Sequence, residues 1–110
     1  MVIDVTDGNF EDEVIGSELP VLVEFTASWC PPCHQMKPVL KALAEEEGER
    51  LKVVQLDVDS HPLTTQKYQV LSMPTFIVFR DGEPVKSMVG ARAKRKLLAE
   101  LADVLLLRSA

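Results

Sequence analysis

Apolar residues fall along this chain in two alternating rhythms, short β-rich runs and longer stretches with helical spacing. Residues 2–5 make a short strand candidate. Thr6 or Asp7 is placed to cap a helix running to Gly16, with Phe10 and Val14 one turn apart on its buried side. Residues 21–25 are apolar on both faces apart from Glu24, the pattern of an interior strand covered by helices. A long helix is predicted over 33–47, with Met36, Val39, Leu40, Leu43 and Ala44 as its stripe, Pro38 as a kink and Gly48 as its end. A strand over 51–58, a short helix over 61–68 and a strongly apolar strand over 75–79 follow. Asp81-Gly82 predicts a tight hairpin into a strand over 84–89. A last helix over 92–107 turns Leu97, Leu98, Leu101 and Leu105 inward.

The predicted order is βαβαβαββα. Strands separated by helices imply parallel pairing with right-handed crossovers, and the terminal hairpin adds an antiparallel strand. The expectation is an α/β fold: a central mixed sheet flanked by helices on both faces, in a single domain over residues 1–110. The sequence shows neither a linker nor an internal repeat.

Composition narrows the function. The chain is 46% hydrophobic and 26% charged, with formal net charge −5. That sign argues against generic nucleic-acid binding. The first ten residues carry Asp4 and Asp7 and do not read as a secretory signal, and no apolar run approaches the roughly 18–20 residues of a membrane helix. A cytoplasmic location with no membrane or nucleic-acid partner is therefore expected. A monomer is also expected there. In that reducing compartment two cysteines separated by two residues, Cys30 and Cys33, suggest redox chemistry or a metal rather than a structural staple.

The pair falls where a buried strand ends and a helix begins. Free N–H groups and partial positive charge at a helix start favour a thiolate, so Cys30 is expected to be the nucleophile. Cys33, a turn along the helix, is expected to resolve the mixed disulfide. Other readings of these residues remain. Cys30-Pro31-Pro32-Cys33-His34 also matches the C-x-x-C-H haem-attachment pattern, and a zinc site could count Cys30, Cys33, His34 and His61, although their spacing is poor. A redox-inert scaffold is a further alternative.

Residues 21–33, ending in Trp29-Cys30-Pro31-Pro32-Cys33, resemble the active-site strand and turn of the thioredoxin family. Pro38, Asp57-Val58-Asp59, Met73-Pro74-Thr75, Asp81-Gly82 and Gly90 match in the family's order and spacing, so the resemblance spans essentially the whole chain. It implies a thioredoxin fold and a protein-disulfide reductase with no bound cofactor. Such a protein exchanges disulfides with client proteins through a redox-active Cys30–Cys33 pair and receives electrons from NADPH through a thioredoxin reductase. It also implies a cis bond before Pro74. Trp29, Pro31, Pro32, Met73, Pro74, Gly90 and Ala91 would form the substrate-binding surface, where an extended client segment can pair with the Met73 backbone.

Glu24 is chemically the strangest residue, because a carboxylate in an apolar strand loses hydration and its pKa should rise. The family usually has Asp at this position, acting through water as acid and base for the second cysteine. Carried over, Glu24 would take the proton of Cys33. Two departures bear on the chemistry. Gln55 stands where the family commonly has Lys, removing a charge that would favour ionised Glu24. Pro31 stands where the family usually has Gly, leaving the redox poise open, so an oxidant or a reductase specialised for one client is the alternative. Among the remaining charges, the Glu45-Glu46-Glu47 run and the Arg92, Lys94, Arg95, Lys96 cluster read as solvated faces, and His34 as a solvated helix-surface residue.

Overall fold

A computed structural model describes residues 1–107. In those residues five strands, β1 (Ile3–Asp4), β2 (Val21–Thr26), β3 (Lys52–Asp57), β4 (Thr75–Arg80) and β5 (Glu83–Val89), form one sheet in the order β1-β3-β2-β4-β5. Three α-helices accompany it: α1 (Pro31–Glu47), α2 (Pro62–Lys67) and α3 (Lys94–Leu107). The expected single domain extends to residue 110, and residues 108–110 lie outside the described part.

β1, β3 and β2 are parallel, as expected for strands joined through helices. β4 is not parallel to its neighbour: it runs antiparallel to β2, and β5 antiparallel to β4, so β4 is the reversed strand and two pairings are antiparallel where one was predicted. The chain re-enters the sheet with Thr75 opposite Phe25, beside the end of β3, so β4 starts where β3 stops and runs back. Strand–helix alternation does not encode this re-entry point, which the tertiary placement of residues 58–74 decides. Asp81 and Gly82, at φ 53° and 80°, make the predicted hairpin; both left-handed residues match the twist of the flanking strands.

Alternation along the central strands sorts the core into two layers. Val21, Val23 and Phe25 of β2 pack with Val54, Leu56, Ile77 and Phe79 beneath Phe10 and Val14. Tyr68 joins them, its ring edge-on to Phe79 at 5.1 Å between centroids. Leu22 packs on the other side with Phe76 and Val78 under Met36, Leu40 and Leu43 of α1 and Leu97 and Leu101 of α3. A period of two thus places β2 between two apolar layers, which is why it reads as apolar throughout. Each buried Leu or Phe contributes about 1.5–3 kcal/mol relative to exposure.

Several boundaries differ from the sequence reading. The first helix shrinks to a π-helical turn, Glu11–Ile15, closed by Gly16 N–H on the Glu11 carbonyl at 2.8 Å. Thr6 and Asn9 bond each other's backbone N–H groups instead of starting a longer helix. Asp7 caps a different helix. Its carboxylate accepts from the Leu63 and Thr64 N–H groups and the Thr64 hydroxyl, holding the start of α2. Pro38 sits inside α1 without ending it.

Candidate active site

β2 ends at Thr26, and a short turn closed by Cys30 N–H on the Ala27 carbonyl delivers Cys30 to the start of α1. The helix begins two residues earlier than its apolar stripe suggested. Pro31 and Pro32 occupy its first positions, where an N–H has no intrahelical partner and proline's fixed φ suits the helix. Cys30 is the cap itself: extended at φ −102° and ψ 105°, it receives the Cys33 N–H on its Sγ at 3.2 Å. The extra proline of this sequence therefore deletes no bond that the sulfur uses. Cys30 and Cys33 are joined as a disulfide with Cα atoms 5.2 Å apart. Both are buried, at 3% and 1% exposure, so burial separates them little. Position does: Cys30 Sγ stands where the helix start can stabilise negative charge, and Cys33 is a turn inside.

Glu24 faces the α1 side of the sheet, in register with Gln55 on one neighbour and Phe76 on the other. It is 1% exposed, so an edge-facing carboxylate is excluded. Its Oε2 has no hydrogen-bond partner among the described residues. Burial raises its pKa to about 7, offset in part by the Lys37 ammonium of α1. Gln55 turns away and donates to Asp4 at 2.6 Å. The charge expected to be missing at position 55 is thus partly supplied from α1, by a lysine that the sequence reading did not single out. A groove of about 170 Å³ has Thr26, His34, Lys37, Gln55 and Asp57 among its lining residues, and Glu24 does not line it. Its volume accommodates several waters at about 30 Å³ each.

The proposed substrate-binding residues come together around the sulfurs in three loops. The Met73–Pro74 bond is cis, and the Met73 carbonyl oxygen lies 3.6 Å from Cys30 Sγ. Gly90, at φ +101°, donates its N–H to the Pro74 carbonyl at 2.8 Å, bringing the Gly90-Ala91 turn against the same loop. Met73 is half-buried, Pro74 buried, and Ala91, Pro31 and Pro32 exposed. Trp29 is 63% exposed and held from its edge by Asp59, whose Oδ2 accepts the indole N–H at 2.8 Å. Asp57 builds the turn that presents Asp59, accepting from the Asp59 and Ser60 N–H groups. The Asp-Val-Asp run carried that signal, although its anchoring role was not foreseen.

Other charges correct the sequence reading. Arg92 is no solvated residue: its side chain is 9% exposed and paired with Glu100. Lys94 pairs with Glu46, and Arg50 with Glu47, so part of the acidic run is engaged. His34 is exposed, yet its Nε2 is hydrogen-bonded to the Ser28 carbonyl at 2.8 Å. His61 accepts the Asp7 N–H. The two histidines are thus turned to separate backbone groups, and among the described residues no group of His, Cys, Asp and Glu could hold a metal ion.

Comparison with known proteins agrees with this geometry. The family model described as thioredoxin matches residues 1–103. A thioredoxin of Mycolicibacterium smegmatis is 50% identical over 103 residues, covering 92% of each chain. A thioredoxin of Mycobacterium tuberculosis is 51% identical over 102 residues, covering 93% of this chain and 88% of that one. A bifunctional thioredoxin reductase/thioredoxin of Mycobacterium leprae is 47% identical over 104 residues, 94% of this chain and 23% of that one. A vicinal cysteine pair capping α1, a cis-proline loop facing it and these likenesses agree over nearly the full length: the chain belongs to the thioredoxin family.

Proposed function

We propose that this thiol–disulfide oxidoreductase reduces client-protein disulfides through Cys30 and Cys33 and is itself recharged by NADPH through a thioredoxin reductase. The observation that carries the reading is the Cys33 N–H aimed at Cys30 Sγ from 3.2 Å. In the reduced protein that bond and the helix start stabilise a Cys30 thiolate. The thiolate attacks one sulfur of a client disulfide; the client S–S bond breaks, one client thiolate leaves, and a mixed disulfide forms on Cys30. Glu24, as carboxylate, takes the Cys33 proton, and the Cys33 thiolate attacks Cys30 Sγ. The second client thiolate leaves, and the Cys30–Cys33 disulfide has formed. Two electrons have passed to the client. Glu24 then returns its proton to water. A carboxyl with pKa about 7 is matched to that task near neutral pH, where both its protonation states are populated.

Trp29, Pro31, Pro32, Met73, Pro74, Gly90 and Ala91 serve as the docking surface in this reading, with the Met73 backbone pairing to an extended client segment. The fused reductase named in the Mycobacterium leprae relative supports a reductase as partner. We take the chain to act as a single-domain monomer over residues 1–110, in the cytoplasm, without nucleic-acid or membrane partners and with no bound cofactor. A reducing compartment keeps such a dithiol charged. No described helix is long and apolar enough to cross a membrane.

The test is a coupled assay with NADPH, a thioredoxin reductase and insulin as disulfide substrate. Reductase-dependent insulin reduction that Cys30→Ser abolishes is the expected result. NADPH consumption that ignores the protein, or activity that survives Cys30→Ser, overturns the reading.

A further inference from the structure

Arg92 makes more contacts than any solvated basic residue needs. Its Nη1 donates to both carboxylate oxygens of Glu100 in α3, at 2.7 and 2.6 Å. Its Nη2 donates to the Val89 carbonyl at 2.6 Å, and its Nε to the Gly90 carbonyl at 3.1 Å. The guanidinium carbon lies 6.0 Å from the Phe76 ring centroid, and the Arg92 backbone N–H meets Met36 Sδ of α1 at 3.4 Å. One planar fork thus joins α3 to two successive carbonyls at the end of β5, a task that an ammonium cannot perform. Because the side chain is 9% exposed, water and salt screen this pair weakly.

What the fork holds is the turn beside the sulfurs. Gly90 supplies the φ of +101° that the turn requires, but glycine also has the most backbone freedom to lose. Its N–H bonds the Pro74 carbonyl, and the neighbouring Met73 carbonyl lies 3.6 Å from Cys30 Sγ. A continuous set of contacts therefore runs from Glu100 through Arg92 and Gly90 to the cis-proline loop.

We infer that Arg92, anchored by Glu100, is a positioning residue that determines client affinity by holding the Val89–Gly90 backbone in the geometry against which a client segment docks. This rests on the proposed docking surface. None of these Arg92 contacts reaches Cys30 or Cys33, so its effect belongs to client binding and not to thiol exchange itself.

The experiment compares wild type, Arg92→Met, Arg92→Lys and Glu100→Gln. Insulin reduction with dithiothreitol as recycling reductant supplies kcat and KM, and the reduced proteins are also reacted with dithiobis-nitrobenzoate, a small disulfide that needs no loop. Arg92→Met should raise the insulin KM about 5–10-fold while kcat and the small-disulfide rate stay within about twofold. Arg92→Lys, which keeps the charge and loses the fork, should fall between the two. Glu100→Gln should move KM in the same direction by less, and it carries the test if Arg92→Met does not fold. An unchanged KM in folded variants overturns the inference, as does a parallel loss of kcat and small-disulfide rate. A wild-type protein that reacts with dithiobis-nitrobenzoate but not with insulin overturns the reductase reading itself, and the clamp with it.

Discussion

The Cys33 backbone N–H points at the Sγ of Cys30 from 3.2 Å, across the first turn of α1. A donor so placed favours the thiolate of Cys30 over that of Cys33 and makes the two sulfurs unequal although both are buried. Cys33→Ser should therefore leave Cys30 able to attack and unable to be released. Turnover with insulin should fall by about a hundredfold or more, and mass spectrometry should find the client covalently attached to Cys30. A variant that turns over without an adduct contradicts the assignment of roles.

Glu24 predicts how stability depends on pH. Its folded-state pKa of about 7 lies above the ordinary glutamate value of 4.5, so the native state keeps the proton longer than the unfolded chain does. The stabilisation is complete below about pH 4.5 and is lost as pH rises through 7, a loss of about 3 kcal/mol at most. Glu24→Gln keeps the shape and removes the titration. Urea unfolding at pH 5 and pH 8 should show the loss in wild type and a smaller one in Glu24→Gln; equal losses rule out Glu24 as its source.

Lys37 lowers the Glu24 pKa from across the α1 packing. Lys37→Met should raise it further, by a few tenths to about one unit. A carbon-13 NMR titration of the Glu24 carboxyl reads this directly, and a pKa that stays put removes Lys37 from the site's electrostatics.

Gly90→Ala tests the loop conformation. Among the described residues a Cβ at this position would meet only Arg92 Nη2, at 4.0 Å, so the cost comes from φ +101° and not from crowding. We expect a loss of about 1–2 kcal/mol in thermal or urea unfolding. No loss means that the backbone relaxes to negative φ without penalty.

Asp59→Ala frees the Trp29 indole. The bond is exposed, so stability should change by about 1 kcal/mol or less. Trp29 fluorescence anisotropy should fall measurably. Unaltered anisotropy would show that another contact holds the ring.

Much of this molecule was set by short-range pattern. The two-sided apolarity of residues 21–25 places β2 in the sheet centre, Asp81-Gly82 makes the hairpin, and the Trp29–Cys33 segment puts a thiol pair at a helix start. Each of these depends on periods of two or 3.6 residues and on the φ preferences of single residues, which act within one element. Tertiary structure decided what neighbouring residues do not contain. Asp7 caps a helix 57 residues away, Asp59 holds Trp29 across 30 residues, and β4 enters the sheet beside the end of β3 and so runs antiparallel to β2. Lys37 became the cation acting on Glu24, and Arg92 left its basic cluster for Glu100 and two backbone carbonyls. The reason is the same in each case. A charged or polar side chain takes its role from the groups that packing leaves unsatisfied beside it, and those groups are brought there by the fold rather than by spacing along the chain.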